Sequence, residues 1–133
     1  RYTSVKKAKE SGEWADLAAM DLASARFLVA MEPGPSRIIC YLCQQSAEKM
    51  LKAFLVYRDI PPKKTHDLIS LHKTCIEQEP EFSVLKEACA DLNVYAVEAR
   101  YPSSLELTSN DAEKAIRDAE RIWHFVSLRL PDR

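Results

Sequence analysis

The sequence contains very little glycine, because only two glycines occur among its 133 residues. It is also poor in the alternation of apolar and polar residues that is typical of half-buried strands. Both features favour a helical protein. The sequence contains no glycine-rich phosphate loop, no nucleophile elbow and no convincing carboxylate cluster for divalent metals, so it predicts neither a cofactor nor a metal site.

The sequence also lacks a long apolar run and an excess of charge. Its longest apolar run, Ile38 to Cys43, is far too short to span a bilayer. Its 19 basic and 20 acidic residues give a net charge of -1, so binding to RNA or to an anionic membrane would need a local patch. No secretory signal is visible, although the chain begins at Arg1 and not at Met. The four cysteines therefore predict reduced thiols in a cytoplasmic protein with no membrane partner.

A chain of this length is about one domain, and its apolar periods predict about five helices. The loops are short enough for antiparallel neighbours, so we expect an all-α, up-and-down bundle that resembles a four-helix bundle. Residues 1–10 are expected to be a mobile or helical lead-in, and residues 11–130 the helical domain. Ser11 is the predicted N-cap of the first helix, whose apolar period reaches Val29.

The second predicted helix, about Ser36 to Arg58, is the most apolar and should be central in the bundle or should also face a partner chain. Thr65 is predicted to cap the third helix, and the fourth should run from about Phe82 to Ala99. Thr108 opens the fifth in a T-x-x-D pattern. The second helix leaves only a narrow polar strip, consisting of Gln45, Glu48, Lys49 and Lys52.

Asp21 is unusual because it falls within the apolar stripe of the first helix. A buried carboxylate is costly unless it is paired, and Arg100 and Arg37 are plausible partners. We hypothesise an Asp21–Arg100 ion pair, and the alternative is that Asp21 reaches water at the edge of the stripe.

Cys40 and Cys43 form a C-x-x-C pair, and a zinc site would need two further ligands. Both thiols lie on the apolar side of a helix, however, so we expect them to pack in the core. The neighbouring Gln44 lies beside that apolar face. Its amide could hydrogen-bond another helix or a partner chain.

Four stretches in this order resemble the HEPN domain family, and the resemblance covers about residues 11 to 130. They are WADLAAMDLASARFLV (14–29), CQQSAEKMLKAFLV (43–56), KTHDL (64–68) and YAVEARYP (95–102). HEPN domains are all-α bundles and are usually dimeric. Many are encoded beside a minimal nucleotidyltransferase in pairs of the toxin–antitoxin type. Others cleave RNA with an Arg-x4-6-His motif near the start of a late helix.

The resemblance implies a protein that binds nucleotide or RNA, or a partner subunit of a minimal nucleotidyltransferase. The alternatives are a metal-independent endoribonuclease toxin and a non-catalytic dimerisation or adaptor module. A homodimer is expected in each case.

Arg100, followed by Tyr101, matches the arginine of the ribonuclease motif by resemblance. The histidine should then fall at one of residues 105–107, which are leucine, glutamate and leucine. RNA cleavage needs groups that take up and donate protons, whereas arginine stays protonated and can only bind phosphate or stabilise charge. Arg100 and Tyr101 are therefore candidate phosphate ligands, and the alternative is a structural role at a helix end.

A displaced histidine could complete the pair, and His66 and His124 are the candidates. His66 follows Lys63 and Lys64, which makes this the best local anion site in the sequence, although His66 also fits as an ordinary first-turn residue. Arg117 and His124 have Arg-x6-His spacing on one face of the last helix. Several charges share that face, so it also reads as a solvated, charge-paired surface.

Overall fold

A computed structural model describes residues 4–61, 63–98 and 106–131 of the chain. Every regular element among these residues is helical, which confirms the all-α, up-and-down bundle. The elements are α1 (Ser4–Leu28), α2 (Ser36–Tyr57), α3 (Leu68–Gln78), a 3-10 helix (Pro80–Leu85), α4 (Lys86–Asn93), α5 (Tyr95–Glu98) and α6 (Ser109–Ser127).

Helix α2 is the centre of the bundle, because α1, α3, α4, α5 and α6 all pack against it. It buries residues on almost every side, including Ile39, Met50 and Phe54. This burial follows from its composition, since a helix with so little polar surface must be covered on several faces. The prediction of a central second helix is confirmed.

Helices α1 and α2 are joined by two reciprocal hydrogen bonds between serine hydroxyls and backbone carbonyls. Ser11 Oγ donates to the Ala53 carbonyl at 2.8 Å, and Ser46 Oγ donates to the Ala18 carbonyl at 2.8 Å. The alanines leave room for the two backbones to approach closely. The prediction that Ser11 caps the first helix is wrong, because α1 already begins at Ser4 and Ser11 is buried within it.

The predicted fourth helix is divided into three pieces, the 3-10 helix, α4 and α5, with a turn at Val94. Pro80 stands at the start of the 3-10 helix, where its missing N–H costs no hydrogen bond. Phe82 and Leu85 are three residues apart and both buried, which is the spacing that places side chains on one line of a 3-10 helix.

Helix α6 begins as predicted, with Thr108 as its N-cap in a capping box. The Thr108 hydroxyl accepts from the Asp111 N–H at 3.3 Å, and Asp111 Oδ2 accepts from the Thr108 N–H at 2.8 Å. The two residues thereby satisfy N–H groups that the helix itself leaves without partners. From this start, α6 buries a stripe of small and branched side chains: Ala112, Ala115, Ala119, Ile122 and Val126.

Candidate functional site

Glu48 lies on α2 with its side chain only 4 % exposed, and it is the buried charge around which the candidate site is built. Its Oε2 accepts from the ammonium of Lys52 at 3.0 Å, one helical turn further on. Lys52 is also buried, and its ammonium lies 5.4 Å from the centre of the Trp14 ring on α1. The ion pair and the cation–π contact offset the removal of both charges from water.

The sequence interpretation of this region was wrong in one respect. Glu48 and Lys52 were expected to form part of the narrow strip of polar surface on α2, whereas both are buried. The reason is tertiary packing, since His66 contacts Glu48 from another segment and Trp14 contacts Lys52 from α1.

His66 stands over Glu48 from the loop that precedes α3. Its Nδ1 lies 3.0 Å from Glu48 Oε1 and 3.2 Å from Oε2, while the side chain remains 59 % exposed. A carboxylate can only accept, so Nδ1 carries the hydrogen that it donates to Glu48. The other ring nitrogen, Nε2, is then left to accept a proton or, once protonated, to bind an anion.

Two glutamines complete this arrangement, which we call the Glu48 network: Gln44, Gln45, Glu48, Lys52 and His66. Gln44 is fully buried, and its Nε2 donates to the His66 backbone carbonyl at 3.0 Å. Gln45 Nε2 donates to Gln44 Oε1 at 2.7 Å and approaches Glu48 Oε1 at 3.4 Å. The Gln44 amide therefore bonds a loop, and not another helix as the sequence suggested, and it fixes the backbone of the loop that carries the histidine.

The segment around His66 is fixed by further hydrogen bonds. Asp67 caps α3, because its Oδ1 accepts from the Ile69 N–H at 3.0 Å, so the prediction of Thr65 as the cap is wrong. Thr65 Oγ1 instead accepts from the Asp67 N–H at 3.1 Å. Asn93, the last residue of α4, accepts from the Leu68 N–H at 2.8 Å. The histidine is thus positioned from both α2 and α4.

Two lysines precede the histidine in the same loop, and both are exposed. The Lys63 ammonium lies 3.4 Å from Thr74 Oγ1 on α3. Lys64 precedes His66 by two residues in the sequence. An exposed imidazole with two ammonium groups nearby in the chain can attract and bind a phosphate group.

The family model of the HEPN domain matches residues 11–129. The chain belongs to the HEPN domain family. Two solved structures are similar to it along nearly their whole length. One is TT1696 from Thermus thermophilus, with 26 % identity, a TM-score of 0.76, and coverage of 90 % of this chain and 98 % of that one. The other is ST0689, an archaeal HEPN homologue, with 26 % identity, a TM-score of 0.73, and coverage of 91 % and 98 %. No curated protein matches.

Arg100, which resembles the arginine of the family's ribonuclease motif, and the following Tyr101 both lie outside the described part of the chain, so their roles remain predictions. Asp21 pairs with Lys49, whose ammonium lies 2.6 Å from Asp21 Oδ2, and Lys49 was not one of the partners expected from the sequence. An additional contact between Asp21 and Arg100 stays a hypothesis.

His124, the other candidate histidine, is exposed on α6. It lines a surface groove of about 670 Å³, and the lining includes Arg26 of α1 but no residue of the Glu48 network. Arg26 Nε lies 2.8 Å from Glu120 Oε2 beside it. The structure therefore places His66, and not His124, against a buried carboxylate.

The cysteines of the HEPN domain belong to its core. Cys40, Cys43, Cys75 and Cys89 are all buried. Burial raises the pKa of the Cys40 thiol to about 11, and it also raises the pKa of Tyr95, which hydrogen-bonds Cys40. Among the described residues, no group of three His, Cys, Asp or Glu side chains could hold a metal ion. None of the described helices combines the length and the low polarity that crossing a membrane requires.

Proposed function

We propose that this HEPN domain binds the phosphate group of a nucleotide or of RNA at His66, and that the Glu48 network positions the imidazole. The observation that carries the proposal is the buried carboxylate of Glu48 within 3.0 Å of Nδ1 on an exposed ring. This contact supports the proposal because it holds the ring by Nδ1 and leaves the second nitrogen of an exposed side chain available to a phosphate.

The energetics favour a functional role for this arrangement. Glu48 and Lys52 are each nearly removed from water, which is costly for charged groups. The contact with His66 does little to offset this cost through burial, since more than half of the His66 side chain is exposed. Apolar residues at both position 48 and position 52 would stabilise the fold at least as well as the ion pair, so the polar network is better explained by what it does for His66.

The proposal is tested by titrating the protein with adenosine monophosphate and with a short single-stranded RNA. His66→Ala should weaken binding about tenfold or more, because a hydrogen bond to a charged group contributes about 1.5–3 kcal/mol. His124→Ala is the matched control, since it removes an exposed histidine from α6, and it should leave the affinity unchanged. Equal affinities for the wild type and both variants would contradict the proposal.

A second candidate function is RNA cleavage without a metal ion, with His66 as the group that takes the proton from the 2′-hydroxyl. The 2′-oxygen then attacks phosphorus, the bond to the 5′-oxygen breaks, and the leaving 5′-oxygen takes up a proton from water, which gives a 2′,3′-cyclic phosphate. The Glu48–His66 contact supports this function, because a carboxylate on Nδ1 orients an imidazole for proton transfer at Nε2. Arg100 is the proposed group that stabilises the phosphate charge. Cleavage that persists in EDTA and is lost in both His66→Ala and Arg100→Ala would support this function. Absence of cleavage by the wild type would argue against it.

The remaining roles rest on family membership. We propose a homodimer, and a partner subunit of a minimal nucleotidyltransferase in a pair of the toxin–antitoxin type, with a non-catalytic adaptor as the alternative. Tight co-purification with the product of a neighbouring nucleotidyltransferase gene, in the absence of RNA cleavage, would favour the partner role over the enzyme.

A further inference from the structure

A small groove lies on the side of α1 that carries Trp14, and we call it the Trp14 groove. It has a volume of about 260 Å³ and is lined by Glu10, Glu13, Trp14 and Leu17. Their spacing of three and four residues places these side chains on one face of the helix. Pockets that enclose a whole drug-sized ligand hold about 300–1,000 Å³, so this groove suits one flat group of a larger ligand.

Three consecutive contacts connect the Trp14 groove to His66. His66 Nδ1 lies 3.2 Å from Glu48 Oε2, and the same oxygen lies 3.0 Å from the Lys52 ammonium. That ammonium lies 5.4 Å from the centre of the Trp14 ring. The groove and the exposed imidazole are therefore neighbours where α1, α2 and the loop before α3 meet. A ribose separates phosphate from base by a distance of this order, so one nucleotide can contact both.

The lining of the Trp14 groove is suited to a flat group whose edge donates hydrogen bonds. The half-buried ring of Trp14 and the exposed side chain of Leu17 provide an apolar surface on which a base can stack. The carboxylates of Glu10 and Glu13 can only accept hydrogen bonds. Guanine has neighbouring N–H and NH₂ donors on its Watson–Crick edge and can bind one carboxylate through both, whereas adenine has a single amino group there.

An organic cation is the other class of ligand that an aromatic ring beside carboxylates can bind. The Lys52 ammonium already lies over the Trp14 ring, so a second cation at this ring would meet a like charge at short range. A neutral base meets no such repulsion. The position of Lys52 therefore favours a base over a cation in the groove.

We propose that the Trp14 groove binds the base of a nucleotide whose phosphate is bound by His66, and that guanine is the preferred base. Trp14 stacks on the base, and Glu13, the more exposed of the two glutamates, accepts hydrogen bonds from its edge. The inference rests on the function proposed above, because His66 supplies the phosphate contact. It adds recognition of the base and names Trp14 and Glu13 as the residues that determine specificity.

Titrations with guanosine monophosphate and with ribose 5-phosphate separate the base contact from the phosphate contact. The wild type should bind guanosine monophosphate about tenfold more tightly, because stacking on an aromatic side chain contributes about that factor per base. Trp14→Leu keeps an apolar side chain beside Lys52, and it should bind both ligands as the wild type binds ribose 5-phosphate. Trp123→Phe changes the only other tryptophan and is the matched control, which should keep the preference.

A second variant tests the preference for guanine. The wild type should bind guanosine monophosphate about fivefold more tightly than adenosine monophosphate, as expected for one additional hydrogen bond. Glu13→Gln should bind the two nucleotides equally, because its amide has a single acceptor oxygen and cannot bind both donors of guanine. Glu113→Gln, at an exposed glutamate of α6, is the control and should keep the preference.

Fluorescence reports the stacking directly. In the Trp123→Phe variant, Trp14 is the only tryptophan, and guanosine monophosphate should quench its emission while ribose 5-phosphate should not. Equal affinities for these two ligands, with binding that still depends on His66, would overturn the base site and leave the phosphate site intact. Emission that responds to the cation agmatine and not to guanosine monophosphate would also overturn it. Absence of any binding that depends on His66 would overturn the proposed function and the base site together.

Discussion

The Glu48 carboxylate is surrounded by four polar side chains, because a single partner could not replace the hydrogen bonds that it would make with water. Lys52 supplies the opposite charge, and His66 and the two glutamines add hydrogen-bond donors. Removing one member of such a group leaves the others buried without their partner, which costs more than the interaction itself was worth.

Glu48→Ala should therefore lower the free energy of unfolding by about 3–5 kcal/mol, because the Lys52 ammonium would stay buried without a counter-charge. Urea unfolding measures the change, and Glu113→Ala, an exposed glutamate on α6, is the control that should change it little. The double variant Glu48→Ala with Lys52→Met should recover much of the loss. If the single variant is as stable as the control, the network does not have the energetic role described.

His66 and Lys64 could be selected from the sequence as a candidate anion site, because their chemistry and proximity are visible there. The role of Glu48 could not be predicted in the same way. Its spacing from Lys52 is that of a surface ion pair, and only the fold brings His66, 18 residues away, over its carboxylate. Burial by a distant segment leaves no local pattern in the sequence.

At the scale of the elements, the stability of α6 depends on the capping box at its N-terminus. Thr108→Ala removes the hydroxyl that accepts from the Asp111 N–H, and it should lower the free energy of unfolding by about 1 kcal/mol. Thr108→Ser keeps an acceptor at the same place and should be close to the wild type. Thermal unfolding compares the three proteins, and equal loss in both variants would mean that the cap does not stabilise α6.

The starts of α2 and α6 could be predicted because local chemistry sets them, through the prolines before Ser36 and the capping pattern at Thr108. The start of α1 was missed because Ser11 is a serine, a residue type that is favoured at the N-cap of a helix. Its hydroxyl is used by α2, where it donates to the Ala53 carbonyl. A residue type that is favoured at the start of a helix can lie inside a helix when a neighbouring helix satisfies its side chain.

At the scale of the whole molecule, the core keeps its thiols protonated. The pKa of Cys40 is raised from an ordinary value of 9.0 to about 11 by burial, so the unfolded chain releases the proton first as the pH rises. The contribution to stability is complete below about pH 9 and is lost as the pH rises toward 11.

The free energy of unfolding should therefore fall between about pH 9 and about pH 11, by up to about 1.4 kcal/mol per pH unit for this thiol. Cys40→Ala should show a smaller fall over the same range, because it lacks the titrating group. Urea unfolding at several pH values provides both slopes. Identical slopes for the wild type and the variant would show that Cys40 does not contribute.

The central claim is that His66, positioned by Glu48, is the phosphate-binding group, and the ring resonances of the histidines test it most directly. The chain has only three histidines, and His72 is buried with its Nε2 at 2.7 Å from the Phe82 carbonyl oxygen. In an NMR titration with adenosine monophosphate, we expect the His66 signals to shift until saturation while those of His72 and His124 stay in place. Unshifted His66 signals, or equal shifts at His66 and His124, would contradict the account.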